Sequence, residues 1–290
     1  MAEPSSFQNS IIYLDGVTVD YDGFKALNHL TFMVDYKELR VVIGPNGAGK
    51  TTLLDVICGK TKPAAGRVVF GQDKELTGKH ADEIVKLGIG RKFQAPSIYG
   101  NLTVWENLDL SLKRSSKGVF PTLFGKSTAE ERARIEKNLE TIGLKDYAHT
   151  RAGSLSHGQK QWLEIGMVIL QDPSLLLVDE PVAGMTDKET EQTGQLLQSL
   201  AEKHAIIVIE HDMEFVRQIA RIVTVLHEGT VICEGTVEKV QADDRVREFI
   251  WVGRRLLMGS RIVQCILQSF LCFTFHVSRF TFHGIRHAAA

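Results

Sequence analysis

Val41-Val42-Ile43-Gly44-Pro45-Asn46-Gly47-Ala48-Gly49-Lys50-Thr51-Thr52 joins a short apolar run to a helical pattern. Three apolar residues without polar alternation read as a strand buried on both faces of a parallel sheet. The pattern from Thr51 to Gly59 reads as a helix. Between them, Gly44–Thr51 fits G-x-x-x-x-G-K-[ST] in the strand–loop–helix context that motif requires. Its glycines let the backbone wrap a phosphate chain with the N–H groups turned inward. The helix that follows adds its positive N-terminal end. Lys50 reaches the β- and γ-phosphates, and the Thr51 hydroxyl holds Mg²⁺.

The same reading extends outward along the chain. Leu175–Val178 and Ile206–Ile209 are further apolar runs, followed by helical patterns at Asp187–Lys203 and Asp212–Ala220. Strand–helix alternation of this kind predicts a doubly wound α/β sheet. Before Gly44 the pattern changes: Ile12–Val19 and Leu30–Val34 read as strands without helices, hence an antiparallel β layer. Residues 128–142 read as a solvated helix. The stretch of about 95–172 is mostly helical and reads as a subdomain inserted between sheet strands.

The apolar run Leu175-Leu-Leu-Val-Asp-Glu-Pro181 delivers two carboxylates to the sheet edge beside the phosphate loop. Asp179 is placed to bind Mg²⁺, and Glu180 to take the proton of an attacking water as general base. His211 ends the run from Ala205, where its imidazole meets the γ-phosphate. Gln94 follows Gly90-Arg-Lys-Phe at the start of the helical insertion, within reach of Mg²⁺ or water.

The chain has 290 residues, 43% hydrophobic and 24% charged, with 34 basic and 35 acidic residues and a formal net charge of -1. That composition excludes a disordered chain and gives no reason to expect a nucleic-acid partner. Four cysteines (Cys58, Cys233, Cys265, Cys272) without short paired spacing predict neither a disulfide framework nor a zinc site, and fit a reducing compartment. The N-terminus, Met-Ala-Glu-Pro-Ser-Ser, lacks a signal-peptide apolar region. The charge is unevenly spread. Residues 251–290 hold five arginines and no acid, so residues 1–250 carry 29 basic and 35 acidic residues, a net of -6.

Leu155-Ser-His-Gly-Gln159 lies in loop sequence just before the helical pattern Lys160–Leu170. Together with the phosphate loop and Asp179–Glu180 it resembles the signature of ATP-binding cassette (ABC) ATPases, with the expected motifs in order over residues 11–250. The resemblance implies a P-loop NTPase of ABC type, in which two cassettes pack head to tail. Each ATP then lies between one phosphate loop and the partner's signature. Ser156, Gly158 and Gln159 would contact the γ-phosphate held by the other subunit, a small hydroxyl at a helix N-terminus suiting an anion. Gln94 takes the place of the Q-loop residue, His211 of the switch histidine, and Tyr21 of the aromatic that stacks on adenine, with Phe24 competing for that role.

His157 stands where the signature usually has glycine, and Thr186 where many cassettes have Asp. Pro181-Val-Ala-Gly-Met-Thr186, Lys160-Gln-Trp-Leu-Glu-Ile-Gly-Met167 and Glu210-His-Asp-Met213 look like the branched-chain amino-acid group of importers, and within it the ATPase subunit of urea uptake systems. The implied partners are a second cassette, membrane permease subunits and, indirectly, a periplasmic solute-binding protein. The implied location is the cytoplasmic face of the membrane, peripherally. Gln241–Phe249 resembles the short helix that closes this cassette. The likeness ends there, and residues 251–290 are expected to be a non-homologous or poorly ordered tail. A DNA-repair ABC ATPase would need long heptads, a translation-associated one two cassettes, and a metabolic kinase has no use for Leu155–Gln159.

Overall fold

The computed structural model describes residues 9–92, 97–112 and 127–247. It begins with a hairpin of two long strands, β1 (Ser10–Tyr21) and β2 (Phe24–Asp35). They turn through two left-handed residues, Asp22 and Gly23, the Asp-Gly pair that a tight hairpin favours. β4 (Ala65–Phe70) pairs with the other edge of β1, and the two-residue β5 (Lys74–Glu75) with β4. Every pairing in this four-stranded sheet is antiparallel; the absence of helical pattern before Gly44 predicts this for β1 and β2, while β4 and β5 come after the phosphate loop.

The second sheet has six strands. They are β3 (Leu39–Ile43), β6 (Ile89–Lys92), β7 (Leu175–Asp179), β8 (Ala205–Ile209), β9 (Ile222–His227) and β10 (Thr230–Gly235). The order is β10-β9-β3-β8-β7-β6, parallel throughout except that β10 runs antiparallel to β9. All residues of β3, β7 and β8 are buried, which accounts for their unbroken apolar sequence. Burying each Val, Ile or Leu contributes about 1.5–3 kcal/mol, so these three strands anchor the sheet. Their C-terminal ends share one edge, and that edge carries the phosphate loop, Asp179–Glu180 and His211.

Eight helices are described: α1 (Lys50–Ile57), α2 (Ala81–Leu87), α3 (Val104–Ser111), α4 (Ala129–Thr141), α5 (His157–Ile169), α6 (Asp187–Ala201), α7 (Met213–Ile219) and α8 (Val237–Ala242). The chain leaves the sheet after β6 and returns at β7, and α3, α4 and α5 fill that interval. Helices α3 to α6 each start with a reciprocal capping box: Thr103 with Glu106, Thr128 with Glu131, Ser156 with Gln159, and Thr186 with Glu189. In each, two backbone N–H groups that the helix leaves unpaired find side-chain acceptors. Helix α5 therefore begins three residues before the expected Lys160, because Gln159 closes a box on Ser156 where the glycine and histidine read as loop.

The chain divides into two compact units after Gln241. In the second unit the described residues end at Arg247. Asp243 caps a helical turn over 244–247, accepting from the Arg245 backbone N–H at 2.9 Å and pairing with its guanidinium at 2.8 Å. The rest of the expected closing helix and the tail 251–290 lie outside the described residues.

Candidate functional site

The phosphate loop runs from buried β3 into α1. Gly44 has φ +152°, and a Cβ there would lie 2.2 Å from the Leu226 carbonyl oxygen on β9. Gly49, left-handed at φ +98°, would place its Cβ 2.4 Å from the Ala26 oxygen on β2. The loop is thus pressed between the two sheets where only glycine fits. Helix α1 has no side-chain cap, so its first N–H groups are left to face the loop's interior. Lys50 folds back over the loop, its ammonium donating to the carbonyls of Gly44 at 2.8 Å and Pro45 at 2.9 Å. Burial holds that ammonium below the usual lysine range, while the charges of Glu180 and Asp179 oppose the shift.

A hollow of about 260 Å³ opens over the loop. Tyr21 and Phe24, 48% and 61% exposed, flank it from the first hairpin, Asn46–Thr52 form its floor, and Glu180 closes its far side. The Tyr21 hydroxyl lies 3.3 Å from that of Thr61, which fixes the phenol, whereas Phe24 has no polar handle.

At the end of β7, Asp179 is buried and Glu180 takes a left-handed backbone, φ 44°. That turn separates the carboxylates. Asp179 faces inward to Arg91, whose guanidinium lies 3.5 Å from its Oδ2 and donates to Asp55 of α1 at 2.5 Å. Glu180 faces His211, with Oε1 3.5 Å from Nδ1. Burial raises the Asp179 carboxyl above its usual range, against the opposing charge of Arg91. Thr51 hydroxyl and Asp179 carboxylate are oxygen donors of the hard type that suits Mg²⁺, so this donor set fits the ion. Gln94, the third expected donor, lies outside the described residues.

Four charged neighbours of the site escaped the sequence reading. Lys92, fully buried at the end of β6, donates to the Asp179 carbonyl at 3.3 Å. Burial lowers its ammonium, with Glu164, Asp179 and Glu210 pulling the other way. Glu210, 1% exposed, accepts the backbone N–H groups of His211 at 3.0 Å and Val182 at 3.4 Å, joining the strand ends of His211 and Glu180. Burial raises its carboxyl, opposed by those same hydrogen bonds. Arg91 and Glu189 complete the set. The one sequence signal was charged residues, Arg91-Lys92 and Glu210, abutting apolar strand runs.

The signature turn lies elsewhere on the surface. Ser156, Gly158 and Gln159 are not among the residues lining the hollow over the phosphate loop. Ser156 is exposed at the start of α5 and its hydroxyl donates to Glu189 Oε1 at 2.8 Å. His157 Nε2 is 3.1 Å from the Ala183 carbonyl oxygen. Thr186, in place of the more usual Asp, caps α6.

A family model described as ABC transporter matches residues 27–183. LivG of Escherichia coli (strain K12), a high-affinity branched-chain amino acid transport ATP-binding protein, is 32% identical over 249 residues, covering 83% of this chain and 97% of LivG. BraF of Pseudomonas aeruginosa, of the same description, is 32% identical over 239 residues, covering 80% of this chain and 93% of BraF. The crystal structure of the ADP conformation of an ABC transporter cassette superposes with a TM-score of 0.73 at 31% identity, covering 84% of this chain and 99% of that one. A dimeric cassette bound to ADP and Pi in a post-hydrolysis state gives 0.67 at 27% identity, covering 78% and 98%. The chain belongs to the ABC transporter family and is an ATP-binding cassette of its ATPase class. Within that family it is similar to the ATP-binding proteins of branched-chain amino acid transport, and its fold is the ABC ATPase fold that the motifs predict.

Proposed function

We propose that this cassette hydrolyses ATP to drive import of a small polar solute, urea, through a membrane permease. The observation that carries the hydrolytic part is the Glu180–His211 pair, 3.5 Å apart at the far side of the hollow over the phosphate loop. Tyr21 stacks on adenine. Gly44–Thr52 cradle the phosphates with backbone N–H groups, and Lys50 exchanges the loop carbonyls for phosphate oxygens. Thr51, Asp179 and Gln94 would hold Mg²⁺, which would supply positive charge against the phosphates. Glu180 accepts the proton of the attacking water, and His211 keeps Glu180 and the γ-phosphate aligned.

Ser156, Gly158 and Gln159 lie outside their own chain's nucleotide hollow, which supports their serving the partner's ATP across a head-to-tail dimer. Closing that dimer around ATP and loosening it on hydrolysis supplies the work, since ATP binds the closed state better. We assign residues 11–250 to the ATPase domain and the helical stretch near 95–172 to the permease contact. There, near Gln94–Trp105, Tyr99 is 57% exposed and Trp105 half-buried, which supports an apolar contact with a coupling helix. Among the described residues no helix is long and apolar enough to cross a membrane, which accords with a peripheral place on the cytoplasmic face.

Urea as cargo rests on Pro181–Thr186, Lys160–Met167 and Glu210–Met213; a periplasmic binding protein would deliver it. Branched-chain amino acids, named for LivG and BraF, are the alternative cargo. Uptake of labelled urea and labelled leucine in cells lacking this chain decides between them. Loss of urea uptake alone is expected, and loss of leucine uptake with urea uptake intact would overturn the assignment.

A further inference from the structure

The first turn of α5 is held by the segment that follows Glu180. Ser156 Oγ donates to Glu189 Oε1 at 2.8 Å. The other oxygen, Oε2, accepts from the Thr186 backbone N–H at 3.1 Å and from its hydroxyl at 2.9 Å, closing the box that starts α6. One carboxylate therefore serves two helix starts. Gly158 makes the approach possible, because a Cβ there would lie 2.6 Å from Glu189 Oε1. The Thr186 N–H, then the Ser156 hydroxyl, hold the Glu189 carboxyl below the usual carboxylate range. His157 adds a second tie through the Ala183 carbonyl.

We propose that Glu189 is a positioning residue of the ATPase reaction: it holds the Ser156 hydroxyl while no nucleotide is present, and the γ-phosphate on the partner cassette replaces it as acceptor. The inference rests on the reading of Ser156 as a contact across the dimer. A serine hydroxyl has one proton to donate, so donation to Glu189 and donation to phosphate exclude each other. Two anions at one helix N-terminus also repel. ATP engages the signature only by drawing Ser156 off Glu189. That exchange removes one of the ties between α5 and the segment that follows Glu180, the His157–Ala183 contact remaining, so arrival of the phosphate is passed toward the chain's own carboxylates.

The test is steady-state ATPase of the full chain assembled with its partner cassette and permease, comparing wild type with Glu189→Gln, Glu189→Ala and Ser156→Ala. Glutamine keeps an acceptor oxygen for Thr186 and removes the charge. Its KM for ATP is expected to fall about three- to tenfold, with kcat/KM rising through KM and Tm within about 2 °C of wild type. Glu189→Ala loses the cap and lowers Tm, which glutamine restores. A Glu189→Gln KM equal to or above wild type overturns the proposal. If Ser156→Ala then still loses turnover, the signature reading stands and the Glu189 inference alone fails. If Ser156→Ala turns over like wild type, the dimer contact fails and takes this inference with it.

Discussion

The N-termini of helices α1 and α5 are the two that we propose meet phosphate, yet they are built in opposite ways. At α1 no side chain caps the first turn, the loop is pressed between two sheets, and Lys50 rests on its carbonyls. At α5 the cap is made by Ser156, the turn is exposed, and Glu189 supplies the anion. The first end keeps its donors ready for a ligand and shapes them with backbone. The second is satisfied within its own chain and meets a ligand only by exchange. In the proposed mechanism, rigidity belongs to the side that holds the nucleotide, and exchangeability to the side that senses it.

The largest effect should come from adding one methyl to the rigid side. Gly44→Ala would drive its Cβ into the Leu226 carbonyl, and backbone there cannot swing aside. A loss above about 4 kcal/mol is expected, seen as loss of ATP binding and a Tm drop of at least about 8 °C. Gly158→Ala meets only the end of the Glu189 side chain, so it should cost far less stability; equal Tm losses would break the contrast.

Glu180→Gln comes next. It should keep ATP binding and lower turnover at least about 100-fold, measured as phosphate release beside nucleotide affinity. Near-normal hydrolysis would remove Glu180 as general base.

Asp179→Asn sharpens the comparison differently, by stabilising the empty rigid side. Burial raises the Asp179 carboxyl in the folded chain, so folding favours its protonated form. That contribution is complete below the unfolded value and is lost as pH rises through the folded one. Asparagine mimics the protonated form at every pH. The nucleotide-free variant should therefore gain stability at pH 8, read as a rise in Tm, and gain less at pH 4, while hydrolysis falls. A Tm gain that is the same at both pH values would count against burial as the cause.

The smallest effect belongs to the exchangeable side. Thr186→Ala removes the cap of α6 and should cost about 1 kcal/mol, read as a Tm shift of about 2–4 °C. No shift would mean that Glu189 alone holds that helix start.

The parts of the site that were legible in sequence are those built from contiguous residues. Gly44–Thr51 declares its strand, loop and helix at once, and the apolar runs of β7 and β8 fix where Asp179, Glu180 and His211 emerge. What escaped depends on distance along the chain. Arg91 meets Asp179 and Lys92 meets the Asp179 carbonyl only because β6 and β7 are neighbours across the whole helical insertion, and Arg91 meets Asp55 only because β6 reaches α1. Ser156 and Glu189 are joined across 33 residues, and neither residue type announces the other. The early start of α5 was hidden by Gly158, which reads as a helix breaker but is where Glu189 needs space.

The position of β3 has a consequence for how the chain is made. Its two neighbours in the sheet are β8 and β9, so the strand that carries the phosphate loop is translated long before either of them. Until Ile209 and His227 have been added, five consecutive core residues have no edge to pair with. The nascent chain carries the motif without the pocket, and a strand left unpaired for that long invites wrong partners. The hollow over the loop, lined in part by Glu180 and Ile209, is complete only once β7 and β8 have been made.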